Sequence, residues 1–183
     1  LKVQKWLIAK FATDFWGCSQ EANESLFYKS KLTKEHSKII NNAIDTEKFT
    51  NPDTSEVSKL RDSYGLNKDS TVIGNVGRVV RHKNIAFIIQ ILAEAKNSGE
   101  HMIFAFAGRI ADETYMTEFL EEAKKLDVKD RILHLGVRED VQNVMASFDV
   151  FVGPALQEGF GLVAVEAQVT GTPCVLYTGF PHS

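Results

Sequence analysis

The sequence predicts a doubly wound α/β unit, a parallel sheet with helices on both faces. From Thr71 onward, apolar runs of strand length alternate with stretches of helical apolar spacing, giving five strands interleaved with four helices. Runs such as Met102–Ala107 (MIFAFA) are apolar at every position, as expected of strands buried on both faces. No internal repeat or low-complexity stretch interrupts the series.

Taken in order, Thr71–Val76 (TVIGNV) is the first strand. A helix over Asn84–Lys96 follows, with Ile85, Ile88, Ile89, Leu92 and Ala95 at helical spacing. Met102–Ala107 is the second strand, closed by Gly108, and a helix over Asp112–Leu126 carries Met116, Phe119, Leu120 and Ala123 on one side. Arg131–Leu135 (RILHL), a helix over Asp140–Ser147, Asp149–Val152 (DVFV), a helix over Gly161–Val169 and Pro173–Tyr177 (PCVLY) complete the alternation.

The first 40 or so residues stand outside this pattern. Phe11–Cys18 reads as a strand, and Ser19 as the N-cap of a helix over Gln20–Lys31. The stretch Asn41–Asp69 is rich in Asn, Asp, Thr, Ser and Lys and contains Pro52, which marks a boundary. Within it, Ser55–Tyr64 reads as a short helix stopped by Gly65. The expected organisation is therefore 1–41, a linker and entry over 42–70, and the α/β unit over 71–183.

At 183 residues with 44% hydrophobic and 25% charged content, the chain fits an ordinary globular protein, neither disordered nor disulfide-stapled. A net charge of −3 provides no general attraction for nucleic acid or anionic lipid, so any phosphate site must be a local cluster of cations. Cys18 and Cys174 have no metal or redox spacing and read as two buried thiols of a reducing compartment. His36, His82, His101, His134 and His182 form no metal-ligand spacing, and no metal is expected. No apolar run approaches a bilayer span. The opening Leu1–Lys5 reads as mid-protein sequence rather than a signal peptide, as in a piece of a longer protein.

In a parallel α/β sheet, ligands sit beyond the carboxyl ends of the strands. Three loops there carry polar residues that the fold does not require. The first, Gly77-Arg78-Val79-Val80-Arg81-His82-Lys83-Asn84, offers cations and the start of a helix, a combination suited to a diphosphate. The alternative is a solvated loop, with Arg81 and His82 the residues it fits best.

The second loop runs from Pro154 through Glu158, Gly159, Phe160, Gly161 and Leu162 to Glu166. Its glycines let the backbone approach a ligand, and the amides of Phe160, Gly161 and Leu162 can point at an anion. Glu166, between Val165 and Ala167, is either the partner of a buried cation or an acceptor for sugar or ribose hydroxyls. Gly159-x-Gly161-x-x-Ala164 also matches a dinucleotide fingerprint, but it follows the fourth strand rather than the first, and the 183 residues end before a ribose-binding acid about 20 residues on could appear. The third loop, Gly136-Val137-Arg138-Glu139-Asp140, either presents backbone groups to a nucleobase or is a plain strand-to-helix turn.

With these loops in order, the sequence resembles glycosyltransferase family 4, retaining enzymes of the GT-B fold, and among them the bacterial polysaccharide-biosynthesis members. The resemblance rests on Asn41–Phe49 (NNAIDTEKF), Gly77-Arg78 with Lys83, Leu135-Gly136, and Glu158 through Glu166 followed by Ala167 and Gly171-Thr172-Pro173. It runs from about Trp16 to the end of the chain. It departs at Asn84, where Gly is usual, at Asn42-Ala43 in place of Asn-Gly, and at Ala155, where Ser is common.

The resemblance implies two Rossmann-like domains facing across a cleft. Residues 1–41 would be the tail of the acceptor-binding N-terminal domain and the remainder most of the donor-binding domain. It implies that Arg78 and Lys83 neutralise the donor diphosphate, that Glu158 contacts the transferred sugar and that Glu166 holds ribose hydroxyls. Gly77, Val137, Arg138, Gly159, Phe160, Gly161 and Leu162 would complete the donor site. Transfer with retention, without metal or cofactor, is implied, from a nucleotide-diphosphate sugar such as a UDP-sugar to a saccharide or lipid-linked acceptor. The expected setting is the cytoplasm, with peripheral membrane association of the full-length protein. A non-catalytic nucleotide-sugar-binding module and an NAD-dependent oxidoreductase are the competing expectations.

Overall fold

The structure, a computed structural model, describes residues 2–65, 70–156, 158 and 160–177. The chain divides into two compact units, Leu1–Ile44 and Asp45–Ser183.

The first unit contains α1 (Lys2–Phe11), β1 (Phe15–Gly17), α2 (Gln20–Leu26), a 3-10 turn over Lys29–Lys31, and β2 (Ser37–Ile39). β1 and β2 pair in parallel from Phe15↔Ser37 to Gly17↔Ile39. The Ser19 hydroxyl accepts the Ala22 N–H at 3.0 Å, so the expected cap is present. The strand expected over Phe11–Cys18 is only three residues long, because Val3, Trp6 and Leu7 continue a helical spacing that carries α1 to Phe11. The helix expected over Gln20–Lys31 ends at Leu26. Extended backbone at Phe27 breaks it, and the Phe27 ring packs edge-on to Phe15 at 5.2 Å.

The second unit opens with two short helices, α3 (Thr46–Thr50) and α4 (Thr54–Ser63). Each is begun by an aspartate: Asp45 accepts the Lys48 N–H at 3.3 Å, and Asp53 accepts the Ser55 and Glu56 N–H groups at 2.9 and 3.2 Å. The polar stretch read as linker and entry thus holds α3 besides the short helix expected over Ser55–Tyr64, with Asp45 and Asp53 serving as the caps. Arg61 ties α4 to the sheet by donating to the Ser147 carbonyl at 2.8 Å and to Asp149 at 3.1 Å. Asp149 in turn accepts the Val72 N–H at 2.7 Å.

The alternation that follows comprises β3 (Thr71–Val76), α5 (Phe87–Asn97), β4 (Met102–Ala107), α6 (Glu113–Lys125), β5 (Ile132–His134), α7 (Val141–Ala146), β6 (Val150–Gly153), α8 (Leu162–Val169) and β7 (Cys174–Leu176). The sheet is wholly parallel, in the order β5-β4-β3-β6-β7. α5 starts at Phe87 rather than Asn84 because Asn84 is left-handed, at φ 54°, and closes a 3-10 turn over Arg81–Lys83.

Alternate strand residues bury against opposite helix layers. Ile73, Phe104, Phe106 and Val152 join Ile88, Ile89 and Leu92 of α5 and Met116 and Phe119 of α6. Val72, Ala105, Ala107 and Phe151 join Val144 and Met145 of α7, Ala164 and Ala167 of α8, and Phe49 of α3. Phe104 and Phe106 stack at 5.2 Å, and Phe119 meets both edge-on. Burying each such ring contributes about 2–3 kcal/mol. The expectation of two buried thiols is corrected, since Cys18 and Cys174 are free but only partly buried. For Cys174, burial still pushes the thiol up to about 11.

Candidate functional site

β3 is the point at which the winding reverses. α5 and α6 carry the chain outward through β4 to β5 on one face, and α7 returns it on the other face to β6. The β3–β6 ladder has only the pairs Ile73↔Val150 and Gly74↔Phe151. Beyond them, the Asn75 side chain donates to the Val152 carbonyl at 2.7 Å as the strands separate. This is the topological switch point at which α/β sheets bind ligands. Asn75, Lys83, Pro154 and Glu158 line a small cleft there. Asn75 carried no sequence signal except its polarity inside an apolar strand.

The loop after β3 is fixed residue by residue. Gly77 donates its N–H to the Ala107 carbonyl at 2.9 Å, and Val79 forms a parallel bridge to Ile110. Arg78 lies between them, exposed and without an ion-pair partner among the described residues. Arg81 is structural: it pairs with Glu118 at 2.8 Å and lies 5.1 Å above the Tyr115 ring. The Tyr115 hydroxyl accepts the Ala86 N–H at 2.9 Å, which anchors the far end of the loop to α6.

Lys83 turns toward the loop after β6 and forms an ion pair with Glu158. The two loops are joined twice more. Leu156 donates its N–H to the His82 carbonyl at 2.9 Å, and the Asn84 amide donates to the Pro154 carbonyl at 3.2 Å. Asn84, where Gly was expected, therefore supplies both the left-handed turn and a cross-link. Ala155, where Ser was expected, is 3% exposed and packs in the core.

Gly161 begins α8 at φ 78°, a left-handed geometry that suits glycine, and among the described residues no side chain caps the helix. Its first amides are open to an anion. Phe160 and Leu162 beside it are half-buried, and Gly159 lies outside the described residues. Glu166 is half-buried on α8. Burial pushes its carboxyl above the ordinary value, opposed by the nearby Lys48 ammonium of α3. Among the described residues the Glu166 carboxylate makes no hydrogen bond or ion pair, and Lys48 is exposed rather than a buried cation.

The third loop joins the first through Gly108. Gly108 donates its N–H to the Gly136 carbonyl at 2.7 Å and accepts from His134 Nε2 at 2.9 Å, while the His134 ring stacks on Phe106 at 4.7 Å. Val137 is 74% exposed. The Arg138 guanidinium is held by both Asp140 oxygens, at 2.8 and 2.7 Å, and so is not a free cation. Among the described residues no group of three or more His, Cys, Asp or Glu side chains gathers as a metal site would require.

The chain matches the family model described as "Glycosyl transferases group 1" over residues 56–182. The chain belongs to this family. It is 34% identical over 176 residues to the glycosyltransferase EpsF of Bacillus subtilis, covering 96% of this chain and 45% of that protein. It is 30% identical over 180 residues to the UDP-Gal:alpha-D-GlcNAc-diphosphoundecaprenol alpha-1,3-galactosyltransferase of Escherichia coli, covering 95% and 46%. The structure of Anabaena HepE in complex with UDP-glucose superimposes with a TM-score of 0.83 at 26% identity, covering 98% of this chain and 48% of HepE. The chain thus spans about half the length of these proteins. Its parallel five-stranded unit has the α/β architecture of the C-terminal domains of GT-B glycosyltransferases. No described helix is long and apolar enough to cross a membrane.

Proposed function

We propose that the second unit binds a nucleotide-diphosphate sugar, a UDP-sugar above all, for a glycosyltransferase that builds a polysaccharide or lipid-linked saccharide with retention at the anomeric carbon. The observation that carries this reading is the meeting of Lys83 and Glu158 at the switch point, beside the start of α8, which no described side chain caps. Lys83 supplies a compact positive charge for the diphosphate, and the α8 amides supply N–H donors. Arg78 is the second cation, free to swing because no described residue holds it.

Negative charge on the diphosphate grows as the sugar departs, so donors aimed at it raise the chemical rate rather than merely tightening binding. In this reading these groups do the work without a divalent cation. Glu158 accepts hydrogen bonds from the transferred sugar, Glu166 accepts from ribose hydroxyls, and the Val137–Arg138 backbone faces the base. HepE, which was solved with UDP-glucose, supports the choice of donor. The Escherichia coli relative, named for a diphosphoundecaprenol acceptor, supports a lipid-linked acceptor and peripheral membrane association of the whole enzyme.

Calorimetric titration of this chain with UDP and UDP-glucose tests the reading. Saturable one-to-one binding that Lys83→Ala abolishes is expected. Equal binding by the wild type and Lys83→Ala would place the nucleotide elsewhere.

A further inference from the structure

The pocket proposed for the diphosphate already contains an anion. Lys83 and Glu158 are paired there, with side chains only 21% and 17% exposed. Most surface ion pairs contribute little, because two flexible arms must be ordered in water. This pair differs, since the bond from Leu156 to His82 and that from Asn84 to Pro154 hold its two loops together independently of the charges. The carboxylate is thus presented to the ammonium by main chain already in place.

A diphosphate arriving at Lys83 brings like charge against Glu158 in a partly desolvated cleft, where repulsion is weakly screened. Building on the donor-site reading, we propose that Glu158 is the resident counter-ion of Lys83. The incoming diphosphate displaces it, and the released carboxylate becomes the acceptor for hydroxyls of the transferred sugar. One residue then links the two halves of donor recognition. Before the nucleotide binds, Glu158 keeps Lys83 oriented and its charge matched. Afterwards it turns to the sugar because the diphosphate has taken its place at Lys83.

The test is titration of UDP, which has no sugar to contact Glu158, into the wild-type chain and its Glu158→Gln and Glu158→Asp variants. Glu158→Gln removes the competing charge at constant size and is expected to tighten UDP binding about three- to tenfold. UDP-glucose should gain less than UDP, because the sugar loses its carboxylate acceptor. Glu158→Asp, on a shorter arm, should bind UDP between the two. Unchanged or weaker UDP binding by Glu158→Gln overturns the proposal while leaving the donor site standing. Should that variant fail to fold, as judged by circular dichroism, Glu158→Asp binding UDP no more tightly than wild type overturns it equally. No UDP binding by the wild-type chain would remove the donor-site reading and this inference with it.

Discussion

Gly108 lies so close beneath the turn after β3 that a methyl group on it would fall 1.9 Å from the Gly77 carbonyl oxygen. The obstacle is backbone, which cannot rotate away as a side chain can. Gly108 also sits at φ 144°, a conformation L side chains rarely adopt. The same residue bonds to Gly136, so this one close approach sets the spacing of two of the three candidate loops.

Gly108→Ala should therefore destabilise the protein by about 2 kcal/mol or more, from strain and overlap together. It should also weaken UDP binding, because the Gly77 turn must move. Urea unfolding with parallel titration measures both. An unchanged midpoint would mean that the two loops are not in contact.

Asn84 combines a left-handed backbone with its bond to Pro154. Asn84→Gly keeps the turn and loses the bond, whereas Asn84→Ala loses the bond and adds about 1–2 kcal/mol of backbone strain. The expected stability order is wild type, then Gly, then Ala, read from thermal melts. Ala as stable as Gly would argue against the left-handed turn.

Glu166 is held against its own solvation, so its folded-state pKa lies above the unfolded value. The folded chain binds that proton more tightly. The residue's contribution to stability is therefore fullest below its unfolded pKa and is lost as pH rises through the folded one. Glu166→Gln should raise the melting temperature at pH 7, with the advantage fading in acid below the usual carboxylate range, and should weaken nucleotide binding. A variant that melts lower at pH 7 would show that the Lys48 attraction outweighs desolvation.

In the whole enzyme, Lys83→Ala should lower kcat by about 10² to 10³, the cost of losing one preorganised charge stabiliser. Turnover should be unaffected by EDTA if Lys83, Arg78 and the α8 amides neutralise the leaving group. Activity that collapses with chelation and returns with a divalent ion would reassign that role to a metal.

The elements legible in the sequence were those written in local pattern. β3 and β4 fall where the continuous apolar runs placed them, and α6 lies within one residue of its apolar stripe because Asp112 caps it. β1 and β2 were harder, since each is three residues long and gains its pairing from a partner about twenty residues away. α3 was hidden in a polar stretch whose aspartate could equally have opened a turn. Among the site residues, the sequence singled out Lys83, Glu158 and Glu166 through their positions after strands and within a glycine-rich segment. Asn75 and Gly108 gave no comparable signal, because their roles are contacts with another strand and with neighbouring turns.

By itself, the sequence determined a parallel sheet buried on both faces and the loops in which its chemistry had to lie, because strand and helix periodicity and strand-end position are properties of neighbouring residues. Only the tertiary structure decided which charges meet. Lys83 found Glu158, 75 residues away, and Arg81 was bound by Glu118 over the Tyr115 ring. The reason is that an ion pair depends on how separate loops are brought within a few ångströms by packing in the sheet, a distance that residue spacing along the chain does not encode.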